Sequence, residues 1–129
     1  MIALDTSVLV RYLAQDDAAQ AAAATRVIES ELSARRPGFV SSIVICEIVW
    51  VLETCYNLER ANVSAIVEGL VSARQLVIEN AAAVKAALAH DGADLSDAII
   101  HEIGRARRCE KTVTFDRKFS RLHGVELLG

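Results

Sequence analysis

Asp5, Glu47, Asp97 and Asp116 lie far apart along the chain, and each sits against an apolar segment where a charge is costly unless something pairs with it. Asp5 follows Met1-Ile2-Ala3-Leu4 and Asp116 follows Thr112-Val113-Thr114-Phe115, so both read as acids at the end of a buried strand. Glu47 is the only charge between Ile43 and Leu52. Acids of this kind either keep their protons or collect a cation. Brought together by the fold, they would repel one another and raise their own pKa values without one. Oxygen ligands unsupported by His or Cys suit Mg2+ or Mn2+. The chemistry such a site supports is phosphodiester hydrolysis, with metal charge activating a water and stabilising the leaving oxygen.

Each acid also has a local structural reading. Asp5, just before Thr6-Ser7 and a helix, can be an N-cap. Asp94 and Asp97 have the spacing of a capping box, which would serve the N-terminus of a helix. Asp116 can cap the next turn or join a salt bridge. Glu47 has Ile43, Val44, Trp50 and Val51 as its helical neighbours and projects from a largely apolar surface, unless that helix edge is exposed. For the site to vanish, all of these readings must hold at once.

The elements that would position these acids alternate in type. Ile2 to Leu4, Gly38 to Val40, Leu76 to Ile78 and Thr112 to Phe115 read as short strands, with Val125 to Leu128 as an edge strand. Between them, helices are predicted over Ser7 to Ala14, Asp17 to Ser33, Ile43 to Cys55, Arg60 to Ala73, Asn80 to Ala89 and Asp94 to Arg107, with Ile99, Ile100 and Ile103 inward in the last. A helical turn is predicted over Arg117 to Leu122. Arg36-Pro37 ends the second helix, because a residue before proline disfavours helical geometry. The order predicts an α/β fold: a single domain over 1–129, with a central, mainly parallel sheet of four to five short strands flanked by helices. In such sheets ligands bind beyond the carboxyl ends of the strands, where Asp5 and Asp116 would lie.

Length and composition narrow the class. At 129 residues the chain has room for one core. With 53% hydrophobic residues and a single proline, Pro37, it is not a disordered chain, and its mean hydropathy of +0.30 leaves apolar surface for a partner. The apolar start is too short for a signal peptide and is broken by Asp5, and no stretch is long enough to span a bilayer, so a cytoplasmic location is expected. Cys46, Cys55 and Cys109 lack metal spacing, and Cys46 and Cys55 read as small core residues.

The net charge of −3 argues weakly against nucleic acid, but its distribution says more. Arg105, Arg107, Arg108, Lys111, Arg117, Lys118 and Arg121 make up 7 of the 14 basic residues, and all lie around one candidate acid, Asp116. A basic rim around an acidic centre suits a polyanion, although a solvated surface would carry the same charges. His90, His101 and His123 read as surface or helix-end residues. Tyr12 and Trp50 read as core or interface rather than base-stacking platforms.

With these residues in view, the chain resembles the PIN domain. The resemblance rests on Asp5-Thr6-Ser7-Val8-Leu9-Val10-Arg11-Tyr12-Leu13, on Glu47 in an apolar helix, on Asp94-Leu95-Ser96-Asp97-Ala98-Ile99-Ile100 and on Thr114-Phe115-Asp116. It covers almost the whole chain and is most similar to the VapC-type toxins of type II toxin-antitoxin pairs. It implies an Mg2+- or Mn2+-dependent endoribonuclease whose catalytic, metal-holding acids are Asp5, Glu47, Asp97 and Asp116, with Asp94 as an auxiliary ligand or cap. Thr6, Ser7 and Thr114 match positions that support the acids or touch substrate. Many relatives have Asn where this chain has Ser7. The resemblance further implies a homodimer and a small VapB-type antitoxin covering the active site.

Three other readings have distinct signatures. A receiver domain would need a phospho-accepting Asp after the middle strand, where this chain has Glu79. A haloacid-dehalogenase-like phosphatase would use Asp5 as nucleophile and want a second Asp where Ser7 stands. A non-catalytic RNA-binding PIN fold would hold RNA uncut with Mn2+ present.

Overall fold

Short apolar runs set the strands, and the punctuation between them sets the helices. The computed structural model describes residues 1–129 as two compact units, Met1–Glu79 and Asn80–Gly129. Both are α/β with parallel strand pairing, the expected class.

In the first unit, β1 (Ile2–Ala3), β2 (Gly38–Val40) and β3 (Leu76–Ile78) form a parallel sheet in the order β1-β2-β3. Ile2 pairs with Gly38, and Gly38 with Leu76. Helices α1 (Thr6–Ala14), α2 (Ala18–Thr25), α3 (Ser42–Thr54) and α4 (Arg60–Ser72) connect and cover the strands. The core consists of fully buried Leu9, Val40, Ile45, Ile48, Val49, Val63 and Val67. Gly38 lies so close to its neighbours that a Cβ there would come within 2.8 Å of both Leu4 Cδ1 and Leu32 Cδ1.

The helix predicted over Asp17 to Ser33 is α-helical only to Thr25, then continues as a π-helix, Arg26–Glu31. Leu32 N–H bonds Val27 O at 2.9 Å. The wider turn keeps Ala24, Ile28 and Leu32, spaced by four, on one buried face.

In the second unit, α5 (Ala81–Ala87) packs on α6 (Leu95–Ala106). Strands β4 (Thr112–Thr114) and β5 (Val125–Leu127) form a parallel pair with Thr112 opposite Val125, and a 3-10 turn, Phe119–Arg121, lies between them in sequence. Val84, Leu95, Ala98 and Ile99 are buried, as are Phe119, Leu122 and Val125.

Several burial expectations are corrected. Val113 is half exposed and Phe115 is 80% exposed, so β4 is not a buried strand. Alternation turns Thr112 and Thr114 to the more covered face and the apolar residues outward. Ile100 is 54% exposed, because the buried stripe of α6 runs Leu95, Ala98, Ile99, Glu102 at helical spacing and Ile100 lies off it. Cys55 is exposed and Cys46 half-buried, so neither is sealed in the core. Trp50 is 62% exposed on α3 and is not a core residue. His101, expected near the surface, is 2% exposed. No helix is long and apolar enough to cross a membrane.

Candidate active site

In the first unit, Asp5 leaves β1 with extended backbone and caps α1, as its local sequence predicts. Its Oδ2 accepts from the Ser7 hydroxyl at 2.8 Å and the Ser7 N–H at 3.4 Å. These bonds from Ser7, the hydroxyl's first, hold the carboxyl below the ordinary aspartate value of 3.8, favouring the anion. The intervening residue, Thr6, points elsewhere: its Oγ1 donates to Glu47 Oε1 at 2.9 Å. Thr6 and Ser7 therefore each direct a side-chain hydroxyl to one candidate acid, Thr6 to Glu47 and Ser7 to Asp5. Glu47 is exposed midway along α3, between exposed Ile43 and Trp50. It is therefore not buried in apolar surroundings.

In the second unit, the capping-box reading of Asp94 and Asp97 is not what forms. Asp94 occupies the N-cap position of α6 but makes no side-chain cap bond; its Oδ1 takes Lys118 Nζ at 2.9 Å. Asp97 is half-buried in the first turn and accepts no hydrogen bond. Burial, then the negative charges of Asp94 and Asp116, push its carboxyl above 3.8, with Lys118 acting in the opposite direction. Asp116 caps the following turn through Phe119 N–H to Oδ1 at 3.1 Å. Its own N–H donates to Thr114 Oγ1 at 3.0 Å, so Thr114 fixes the backbone from which Asp116 projects.

The donor chemistry fits a hard divalent cation. Around the acids are carboxylate and hydroxyl oxygens, with neither imidazole nor thiolate. Glu47 and Asp116 each commit one oxygen to a protein donor and Asp97 commits neither. Like-charge neighbours raise Asp97, and a bound cation would relieve that repulsion. No group of three or more His, Cys, Asp or Glu stands in metal-holding geometry. This is compatible with Mg2+, which keeps several waters and takes only one or two carboxylates.

The basic stretch is partly neutralised. Arg105 pairs with Glu102, Lys111 with Glu126 and Lys118 with Asp94. Arg107, Arg108, Arg117 and Arg121 are exposed and outside any ion pair, and so are the charges available to a polyanion.

Two features escaped the sequence reading. One is a cavity of about 470 Å³ between α1 and α2, with Ser7 at its wall. The other is a buried polar cluster on α6. His101 bonds Thr112 Oγ1 at 2.8 Å and His123 O at 3.0 Å, and Glu102 takes His90 at 3.2 Å and Arg105 at 2.9 Å. Helical spacing carried the available signal for Glu102, which falls one turn beyond Ala98 and Ile99.

A family model described as PIN domain matches residues 2–125. Neither a comparison with curated proteins nor one with solved structures gives a match.

Proposed function

Because the chain belongs to the PIN domain family, whose members are in general metal-dependent nucleases, we propose that it is an Mg2+- or Mn2+-dependent endoribonuclease. Asp5, Glu47, Asp97 and Asp116 are its catalytic acids, all required for cleavage, with Asp94 auxiliary. The observation that carries this reading is the combination of free carboxylate oxygens on Glu47, Asp97 and Asp116 with like-charge pressure on Asp97. A divalent cation, when bound, supplies the charge that activates water and stabilises a leaving oxygen.

The chain's own residues have definable tasks. Ser7 keeps Asp5 ionised and fixes its rotamer. Thr6 holds one oxygen of Glu47 and leaves the other available. Thr114 orients the backbone at Asp116, and Lys118 screens Asp94. The unpaired arginines hold the polyanionic RNA backbone.

The biological role follows the VapC resemblance: a cytoplasmic toxin, active as a homodimer and silenced by a VapB-type antitoxin. Exposed Ile43, Trp50, Ile100 and Phe115 supply apolar surface for such partners. Incubation of the purified chain with RNA in Mg2+, Mn2+ or EDTA tests the activity. Cleavage is expected with either metal and none with chelator; metal-independent cleavage, or RNA bound but uncut in Mn2+, would contradict it.

A further inference from the structure

His101 is the one histidine sealed in the second unit, 2% exposed, and no step proposed above uses it. It stands on α6 one helical turn past Asp97 and bonds two other elements of that unit. Nδ1 meets Thr112 Oγ1 of β4 at 2.8 Å, and Nε2 meets the His123 carbonyl, just before β5, at 3.0 Å. A carbonyl can only accept, so in the neutral ring Nε2 carries the proton and Nδ1 accepts from the Thr112 hydroxyl. Neither nitrogen is left over for a substrate or a metal ion. A Cβ on Gly124 would lie 3.2 Å from Cε1, so the ring is also closely packed.

What the two partners of the Thr112 bond carry gives it a use. Asp97 lies four residues before His101 on α6, a rise of about 6 Å. Thr114 lies two residues beyond Thr112 on the same face of β4, about 7 Å further on, and its Oγ1 receives the Asp116 N–H at 3.0 Å. Asp97 and the residue that holds Asp116 are therefore displaced by similar lengths from one tie. The negative charge of Asp116 acts on the Asp97 carboxyl, which places the two acids on the same side of it. At their other end Lys118 joins Asp94 at 2.9 Å, but that pair is exposed and screened by solvent. The His101 bond is the better shielded of the two ties.

We infer that His101 is a positioning residue: through Thr112 it fixes the separation of Asp97 and Asp116, and with it the affinity of these two carboxylates for a shared divalent cation. The inference rests on the nuclease reading above.

The test breaks the tie from the Thr112 side, where the imidazole stays in place. Thr112→Val keeps the branched shape and removes the hydroxyl, and Thr112→Ser puts it back. Electron paramagnetic resonance of free Mn2+ reads the metal affinity of the full chain without RNA, a thermal melt reads folding, and steady-state RNA cleavage separates kcat from KM. Thr112→Val is expected to fold, to bind Mn2+ about tenfold more weakly and to lower kcat about tenfold, with KM for RNA within about twofold; Thr112→Ser returns both to near wild type. Should Thr112→Val not fold, two changes at His101 make the same comparison. His101→Asn brings an amide to the place of Nδ1 and keeps the bond to Thr112, whereas His101→Gln reaches only the place of Nε2. Mn2+ affinity is expected to survive in the first and fall in the second. A folded Thr112→Val with wild-type Mn2+ affinity and kcat would overturn the inference, because the tie would then serve stability alone. So would a loss that Thr112→Ser does not recover, or equal Mn2+ affinity in the two His101 variants. A wild type that binds Mn2+ but cuts no RNA would remove the nuclease reading, and the Mn2+ affinities alone would decide the inference; a wild type without Mn2+ affinity would remove both.

Discussion

Thr6 Oγ1 donates to Glu47 Oε1 at 2.9 Å, tying the first turn of α1 to the middle of α3. The bond leaves Glu47 one oxygen for other work and sets the carboxylate's rotamer. Thr6→Val keeps the side-chain shape and removes only the hydroxyl. We predict a fall in RNA cleavage of about tenfold, with the thermal midpoint little changed because the pair is exposed. Single-turnover cleavage rates alongside a thermal melt check this; unchanged cleavage would show that Glu47 needs no help from Thr6.

Asp97 carries a charge cost in the folded chain. Burial, Asp94 and Asp116 raise its carboxyl above 3.8, so the folded state binds its proton more tightly than the unfolded chain does. The penalty is therefore present at neutral pH and disappears as pH falls through the raised value toward 3.8. In EDTA, Asp97→Asn is predicted to melt higher than wild type at pH 7, and the advantage should vanish in acid. Denaturant titrations across that range measure it, and a variant less stable at pH 7 would contradict the repulsion argument.

Glu102 has the opposite sign. Its burial pushes the carboxyl up, but hydrogen bonds from His90 and Arg105, with the charge of Arg105, outweigh that and hold it below 4.5. The stabilisation is complete above the unfolded value and is lost as pH falls through the depressed folded one. Glu102→Gln is predicted to cost about 1–3 kcal/mol at pH 7 and to flatten the acid limb of the stability curve. Urea unfolding at pH 7 and at successively lower pH would decide it.

Gly124 adopts φ +87°, and a Cβ there would lie 3.2 Å from His101 Cε1. Both the backbone and the neighbouring ring therefore oppose a side chain. His101 is not free to retreat, since its nitrogens are engaged by Thr112 and the His123 carbonyl. Gly124→Ala should lower stability by about 1–3 kcal/mol. Chemical denaturation measures the loss, and a neutral outcome would mean that the ring can move.

The strand and helix order was legible because each run announces itself locally, as Asp5 does by capping α1 while remaining a candidate ligand. The π-helical continuation at Arg26 was not, since its hydrogen-bond shift leaves the four-residue apolar spacing intact. Asp94 read as a capping residue, but Lys118, remote in sequence, takes its side chain. Thr6 likewise appeared to belong to a helix start, and its partner lies 41 positions away. Ile100 and Phe115 misled for another reason: hydrophobicity reports a preference for burial, whereas helix phase and strand alternation decide which side chains receive it.

We propose that Asp5, Glu47, Asp97 and Asp116 are each needed for RNA cleavage. Single-turnover cleavage of RNA in Mn2+ by Asp5→Asn, Glu47→Gln, Asp97→Asn and Asp116→Asn, each shown to be folded, tests it most directly. The account predicts that every variant loses at least about 100-fold in rate, as does wild type in EDTA. A wild-type rate in any one of the four variants would contradict it.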